Sequence, residues 1–200
     1  KEYRENGFPF TVVRPSHTYS ERKVPVPLHG NYGSFQVVER IRQGKKVIVP
    51  GDGTSLWTLT HSNDFAKGFC GLMGNPHAIG NAYHITSDER MTWDQIVRTT
   101  AQALGVEARI VHIPTDVLGR LNHEWVGSMM GDKSNSVWFD NTKIKREAPE
   151  FVCTTRFDEG VREALHTIYA DTSLQKLDPA FDHWCDRVIA AQENALKAFF

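Results

Sequence analysis

The chain has 200 residues, 40% of them hydrophobic, and a formal net charge of −1, which supports a sizeable packed core and argues for a folded globular protein, not disorder. The near-neutral balance supplies no long-range field for nucleic acid or anionic lipid, and no apolar run approaches the ~20 residues that span a bilayer. Cys70, Cys153 and Cys185 stand too far apart for a CxxC metal site or a disulfide framework, and the nine histidines are scattered with no HxxxH pair; no metal site is expected, and a reducing, cytoplasmic compartment is. No signal peptide is visible.

In chain order, KEYRENG reads as the last turns of a helix, with Gly7 free to take the left-handed conformation of a C-terminal stop. A domain that opens this way suggests that something precedes it. FTVVRPSHTYS reads as a buried strand over 10–13 that stops at Arg14-Pro15, and the prolines and glycines of residues 20–33 mark a loop. SFQVVERIRQG places Phe35, Val38, Ile41 and Arg42 at helical spacing, with Ser34 as N-cap and Gly44 as stop. KKVIVPGDG is a strand and turn, and SLWTLTHSND a second strand, after which Asp64 caps a helix.

NAYHITS is a further strand. In TWDQIVRTTAQALG, Thr92 and Gln95 fit a capping box, and Ile96, Val97, Ala101 and Leu104 form an apolar stripe. ARIVHIP is a strand ended by Pro114, and a short helix is expected within 116–130 and another in FDNTKIKREAPEF. Thr155 caps a helix with the stripe Phe157, Val161, Leu165 and Ile168, and a last helix begins near Pro179. Strands alternating with helices indicate α/β or α+β. GFCGLMG has a dinucleotide-like glycine spacing, but no strand precedes it and Phe65, Phe69, Cys70 and Met73 fall at helical spacing; it reads as a helix whose small residues permit close packing.

Four segments in order resemble the C-terminal part of an extended short-chain dehydrogenase of the NAD-dependent epimerase/dehydratase family: GFPFTVVRPSHTY, VIVPGDGTSLWTLTHSNDFAKG, NAYHITSDERMTWDQIVRTTAQALG and FDNTKIKREAPEF with RFDEGVREAL. The resemblance implies the last part of a Rossmann-type parallel sheet (1–20), followed by a small mixed α+β substrate-binding region with C-terminal helices (21–200), some of whose segments can return to the Rossmann part. It implies an NAD or NADP cofactor held mainly by a missing N-terminal part, a small-molecule substrate and, in many relatives, a homodimer. The glycine fingerprint and the catalytic Tyr-x-x-x-Lys are absent from the chain, and Tyr3 and Lys1 have the wrong order to replace them. No catalytic residue is therefore assigned. By the same resemblance Pro15, Ser16 and His17 lie beside the nicotinamide, and Tyr19, Val47, Trp57 and His61 face the substrate.

One departure bears on that substrate. Sugar-nucleotide enzymes of the family commonly carry a diphosphate-gripping arginine where this chain has Trp57, and Thr58 and His61 replace the usual Asp and Tyr. An indole cannot form the bidentate fork that holds phosphate, so a nucleotide-diphosphate sugar is in doubt. Arg40, Arg42, Lys45 and Lys46 read mainly as a solvated helix end, and His61, His84 and His112 as structural histidines. The alternative to an enzyme part is a non-catalytic module for RNA or a protein partner on the same fold.

Overall fold

The computed structural model describes residues 5–197. The helix read into residues 1–7 lies largely outside them, but Gly7 has φ +68°, as a left-handed stop requires. Four strand pairs organise the described residues. β1 (Val12–Pro15) runs parallel to β6 (Ala82–Ile85), with Val12 opposite Ala82 and Pro15 opposite Ile85. β2 (His17–Tyr19) is parallel to β5 (Leu59–His61), and β3 (Lys46–Pro50) to β8 (Arg109–Ile113). β4 (Leu56–Trp57) pairs antiparallel with β7 (Met91–Thr92), which sequence patterning did not indicate. Parallel pairing needs long crossovers, and helices supply them: α1 (Phe35–Arg42), α2 (Ser62–Leu72) and α3 (Trp93–Ala103); α4 (Thr115–Leu121) follows β8. α5 (Thr142–Glu147), α6 (Phe157–Ala170) and α7 (Pro179–Lys197) complete the α/β arrangement.

The larger hydrophobic core lies among β3, α1, α3, α6 and α7, and includes Val38, Ile41, Trp93, Ile96 and Val161. A smaller one joins β6, α2 and α5 through Leu72, Tyr83, Ile85, Ile144 and Phe151. α3 forms as its sequence dictates, with the Thr92–Gln95 capping box complete and Ile96, Val97 and Ala101 buried. GFCGLMG lies within and just past α2. A Cβ on Gly68 would stand 2.7 Å from Ile85 Cγ2 and 3.0 Å from Phe151 Cδ2, so the small residues do allow close packing.

Tertiary partners change several local readings. Arg40 is buried, not solvated: it donates to Asp182 Oδ1 (2.6 Å), Asp186 Oδ1 (2.7 Å) and the Lys46 carbonyl (2.7 Å), docking α7 on α1 and β3. Arg42 pairs with Glu39, Lys45 with Asp182 and Lys46 with Glu193. Asp64 does not cap its own helix; His61 does, accepting from the Asn63 N–H. Asp64 instead accepts from the Thr154 and Thr155 N–H groups (3.1 and 2.9 Å) and from Lys67 (2.7 Å). Burial opposes its charge, but the Lys67 ammonium and those N–H groups outweigh it and hold the carboxyl below the usual carboxylate range. Thr155 is consequently not the cap of α6; the Phe157 N–H donates to Glu89 Oε2. Ser34 sits at the N-cap of α1 without a side-chain bond. β1 is not buried, because its one partner among the described strands is β6; Val12 remains 39% exposed.

The closeness of α2 to β6 is directly testable. Gly68→Val overpacks the contact with Ile85 and should destabilise by about 1–3 kcal/mol, lowering the melting temperature by roughly 2–4 °C per kcal/mol. Calorimetry against Gly127→Ala, where φ is not positive and an added Cβ meets nothing within 4 Å, checks that the cost comes from the packing itself.

Candidate active site

A cavity of about 300 Å³ opens where β1 hands over to β2. Its floor is Pro15, Ser16 and His17, one wall is Trp57 and Thr58, and the other is Asp132, Val137 and Phe139. The floor lies at the C-terminal end of the parallel pair β1–β6, the end at which ligands sit in open α/β sheets. The Ser16 hydroxyl shares a 3.1 Å hydrogen bond with that of Thr60, whose oxygen accepts from the Ser87 N–H at 2.8 Å. One buried threonine thus fixes the ends of three strands.

The second wall belongs to an irregular segment of 3₁₀ (His123–Trp125), α (Val126–Ser128) and π (Met129–Lys133) turns followed by an extended stretch. It is bound to β4. The Val137 N–H donates to the Leu56 carbonyl (3.0 Å), the Leu56 N–H to Ser136 Oγ (3.0 Å) and Ser55 Oγ to the Lys133 carbonyl (2.6 Å). Trp57 packs on Trp93 with ring centroids 5.3 Å apart and meets His17 edge-on at 6.5 Å. Phe139 stacks on His84 at 4.5 Å.

The electrostatics are set by burial. Desolvation, aided by the fields of Lys23, Lys133 and His29, lowers the His17 pKa to about 4, so its imidazole is neutral at pH 7. Desolvation likewise draws Lys133 down to about 8; its ammonium donates to the Pro27 carbonyl (2.8 Å) and lies over the Trp93 ring. Burial pushes the Cys153 and Cys185 thiols up to about 12, which removes them as nucleophiles. Among the described residues no three His, Cys, Asp or Glu side chains converge as metal ligands. The cavity therefore offers a neutral imidazole, hydroxyls and one carboxylate against an aromatic wall.

Of the residues singled out in the sequence, the structure brings Pro15, Ser16, His17 and Trp57 to this cavity. Tyr19, Val47 and His61 lie in the core instead. The Tyr19 ring meets His61 and Phe157 edge-on, and burial, then the Glu89 charge, raises its pKa. Val47 packs beneath α1, 2% exposed. His61 is spent on its N-cap bond, with Nε2 3.8 Å from the Glu163 carboxylate. Asp132, Val137 and Phe139 were not found from sequence; the one hint was an apolar run, Val137-Trp138-Phe139, within a polar loop.

Comparison with known proteins gives this geometry a context. Residues 1–86 match the model of the NAD dependent epimerase/dehydratase family. The chain is 28% identical over 110 residues to the Chloroplast stem-loop binding protein of 41 kDa b of Arabidopsis thaliana, covering 54% of this chain and 28% of that one. It is 24% identical over 119 residues to the Uncharacterized UDP-glucose epimerase YtcB of Bacillus subtilis (strain 168), covering 60% and 36%. The fold is similar to part of that of UDP-glucuronic acid 4-epimerase from Bacillus cereus, solved with UDP-glucuronic acid and NAD: TM-score 0.63 at 16% identity, over 84% of this chain and 48% of that one. The chain spans about half the length of that solved epimerase and about a third of the two curated relatives.

The neutrality of His17 has a measurable consequence. With a native pKa of about 4 against an unfolded value near 6.5, the unfolded chain binds the proton first, so stability falls as pH drops from about 6.5 to 4. By NMR the His17 ring should show no titration between pH 8 and 5.5, and in His17→Asn this part of the acid loss should shrink.

Proposed function

With its first 86 residues matching the NAD dependent epimerase/dehydratase family, we propose that this chain is the substrate-side portion of an NAD(P)-dependent epimerase, dehydratase or reductase. It acts on a hydroxyl or carbonyl carbon of a sugar nucleotide or similar small molecule. The observation that carries the reading is the cavity at the end of β1, where Pro15, Ser16 and His17 meet Trp57. The exposed side of β1, with Val12 uncovered, supports a sheet that continues beyond the described residues.

The residues present fit one end of a nicotinamide cofactor. The apolar face of the Pro15 ring, the Ser16 hydroxyl held by Thr60 and the neutral His17 would hold the nicotinamide. When bound, such a cofactor supplies the hydride donor or acceptor. The pyrophosphate end finds no counterpart here, because GFCGLMG belongs to α2 and its end rather than to a strand–helix turn. His17 and Thr58 orient a substrate hydroxyl, Asp132 accepts a hydrogen bond from one, and Trp57 and Phe139 keep water from that face. None of these is an acid/base pair of the Tyr-x-x-x-Lys kind, so the 200 residues alone are inactive in this reading.

A second reading, a non-catalytic module for RNA or a protein partner, is favoured by the likeness to a stem-loop binding protein and opposed by the net charge of −1. One set of titrations separates the two. The 200-residue chain should not oxidise NADH. The longer reading frame should bind NAD⁺, and Ser16→Tyr, which blocks the cavity floor, should weaken that binding by about tenfold. Salt-sensitive binding of a hairpin RNA by the longer protein, with no affinity for NAD⁺ or NADP⁺, would replace the first reading with the second.

A further inference from the structure

Resting on that reading, we infer that Ser16 meets the cavity as a hydrogen-bond donor, its polarity fixed from behind by Thr60, and that it takes the carboxamide oxygen of the nicotinamide. Thr60 is 0% exposed. Its oxygen accepts from the Ser87 N–H at 2.8 Å and lies 3.1 Å from Ser16 Oγ. An N–H can only donate, so of these two partners Ser16 alone can receive the Thr60 hydrogen. Were Ser16 to donate instead, the Thr60 hydrogen would be an unpaired donor on a residue with no exposed surface, which is costly. The bonds therefore run one way, from the Ser87 N–H to Thr60 and from Thr60 to Ser16. Each polarises the next hydroxyl and makes it a better donor.

The last hydrogen of that series is Ser16's own. Among the described residues Ser16 Oγ has its one bond with Thr60, so no protein acceptor takes this hydrogen. Ser16 is half-buried and, unlike Thr60, lines the cavity. A ligand donor would compete there for an oxygen already engaged, whereas a ligand acceptor meets a free O–H. The surroundings suit an uncharged acceptor. Pro15 is apolar, and burial keeps the His17 imidazole neutral. A carboxamide presents an oxygen that only accepts and an amino group that only donates, so a donor at this point selects the oxygen. A keto group of the substrate is the same chemistry from another source, and cofactor analogues separate the two.

The test uses the longer reading frame and reads dissociation constants, without substrate, for NAD⁺ and two analogues. The acetylpyridine analogue keeps the carbonyl and replaces the amino group by methyl. The thionicotinamide analogue replaces the oxygen by sulfur, a weaker acceptor. The first should bind within about twofold of NAD⁺ and the second about fivefold more weakly. Ser16→Ala should weaken NAD⁺ about fivefold and leave the thio analogue within about twofold of its original affinity, so that the ratio collapses. Thr60→Val, which removes the hydroxyl behind Ser16, should shift the ratio the same way, and Thr60→Ser should restore it. A merely structural role of Thr60 would weaken both nucleotides alike. A ratio that Ser16→Ala leaves unchanged, or an acetylpyridine analogue bound as weakly as the thio analogue, overturns the inference. Ser16→Ala carries the test if Thr60→Val fails to fold. Binding of neither NAD⁺ nor NADP⁺ by the unsubstituted protein overturns the nicotinamide reading itself, a result distinct from an unchanged ratio.

Discussion

A single buried carboxylate, that of Asp64, holds together two stretches that sequence places about ninety residues apart. It sits in the first turn of α2, yet its oxygens accept from the backbone of Thr154 and Thr155, on the way into α6. The carboxylate therefore converts the start of one helix into an anchor for the approach to another. Lys67, one turn further along α2, satisfies the same carboxylate and the Thr154 hydroxyl, so the buried charge is paired. Upstream of it by a few residues are Thr60, which aligns Ser16 and Ser87, and Trp57, which forms a cavity wall. The site thus takes its shape from a stretch, 57–64, whose far end is tied down from across the molecule.

Arg40 plays the corresponding part on the opposite side. It is almost wholly buried and is surrounded by the carboxylates of Asp182 and Asp186 and by backbone carbonyls. Pairs of this kind cost desolvation and contribute less to net stability than their short distances suggest. Their geometry, however, admits few alternatives. The guanidinium fork accepts α7 in one register on α1 and β3, and hydrophobic burial through Phe181, Cys185 and Ile189 then stabilises it.

What could be read in the sequence follows from where the determinants lie. α3 was legible to its cap because periodicity and the Thr92–Gln95 box are both local. The family resemblance was legible for the same reason, as a succession of local patterns spread over most of residues 7–170. Pro15, Ser16, His17 and Trp57 were singled out through the family resemblance, and the structure brings them to one cavity. Asp132, Val137 and Phe139 were not, because the wall they form comes from turns with no period, held to β4 by contacts about eighty residues long. Asp64 was misread for a related reason: a carboxylate near a helix start looks like a cap until its distant partners are known. β1 was read as buried from its apolar composition, which describes the environment it is built for and not its single strand partner here.

That single partner has a colloidal consequence. Among the described residues β1 has one edge without a strand partner and an uncovered valine, and such an edge is a template on which further strands can add as concentration rises. β1 carries its own brakes. Arg14 is exposed on the strand and brings like charge to any second copy, and Pro15 withholds an amide donor at the last rung. A neighbour that supplies a carboxylate for Arg14 and asks nothing of the Pro15 nitrogen is accommodated, while an identical strand laid alongside is discouraged.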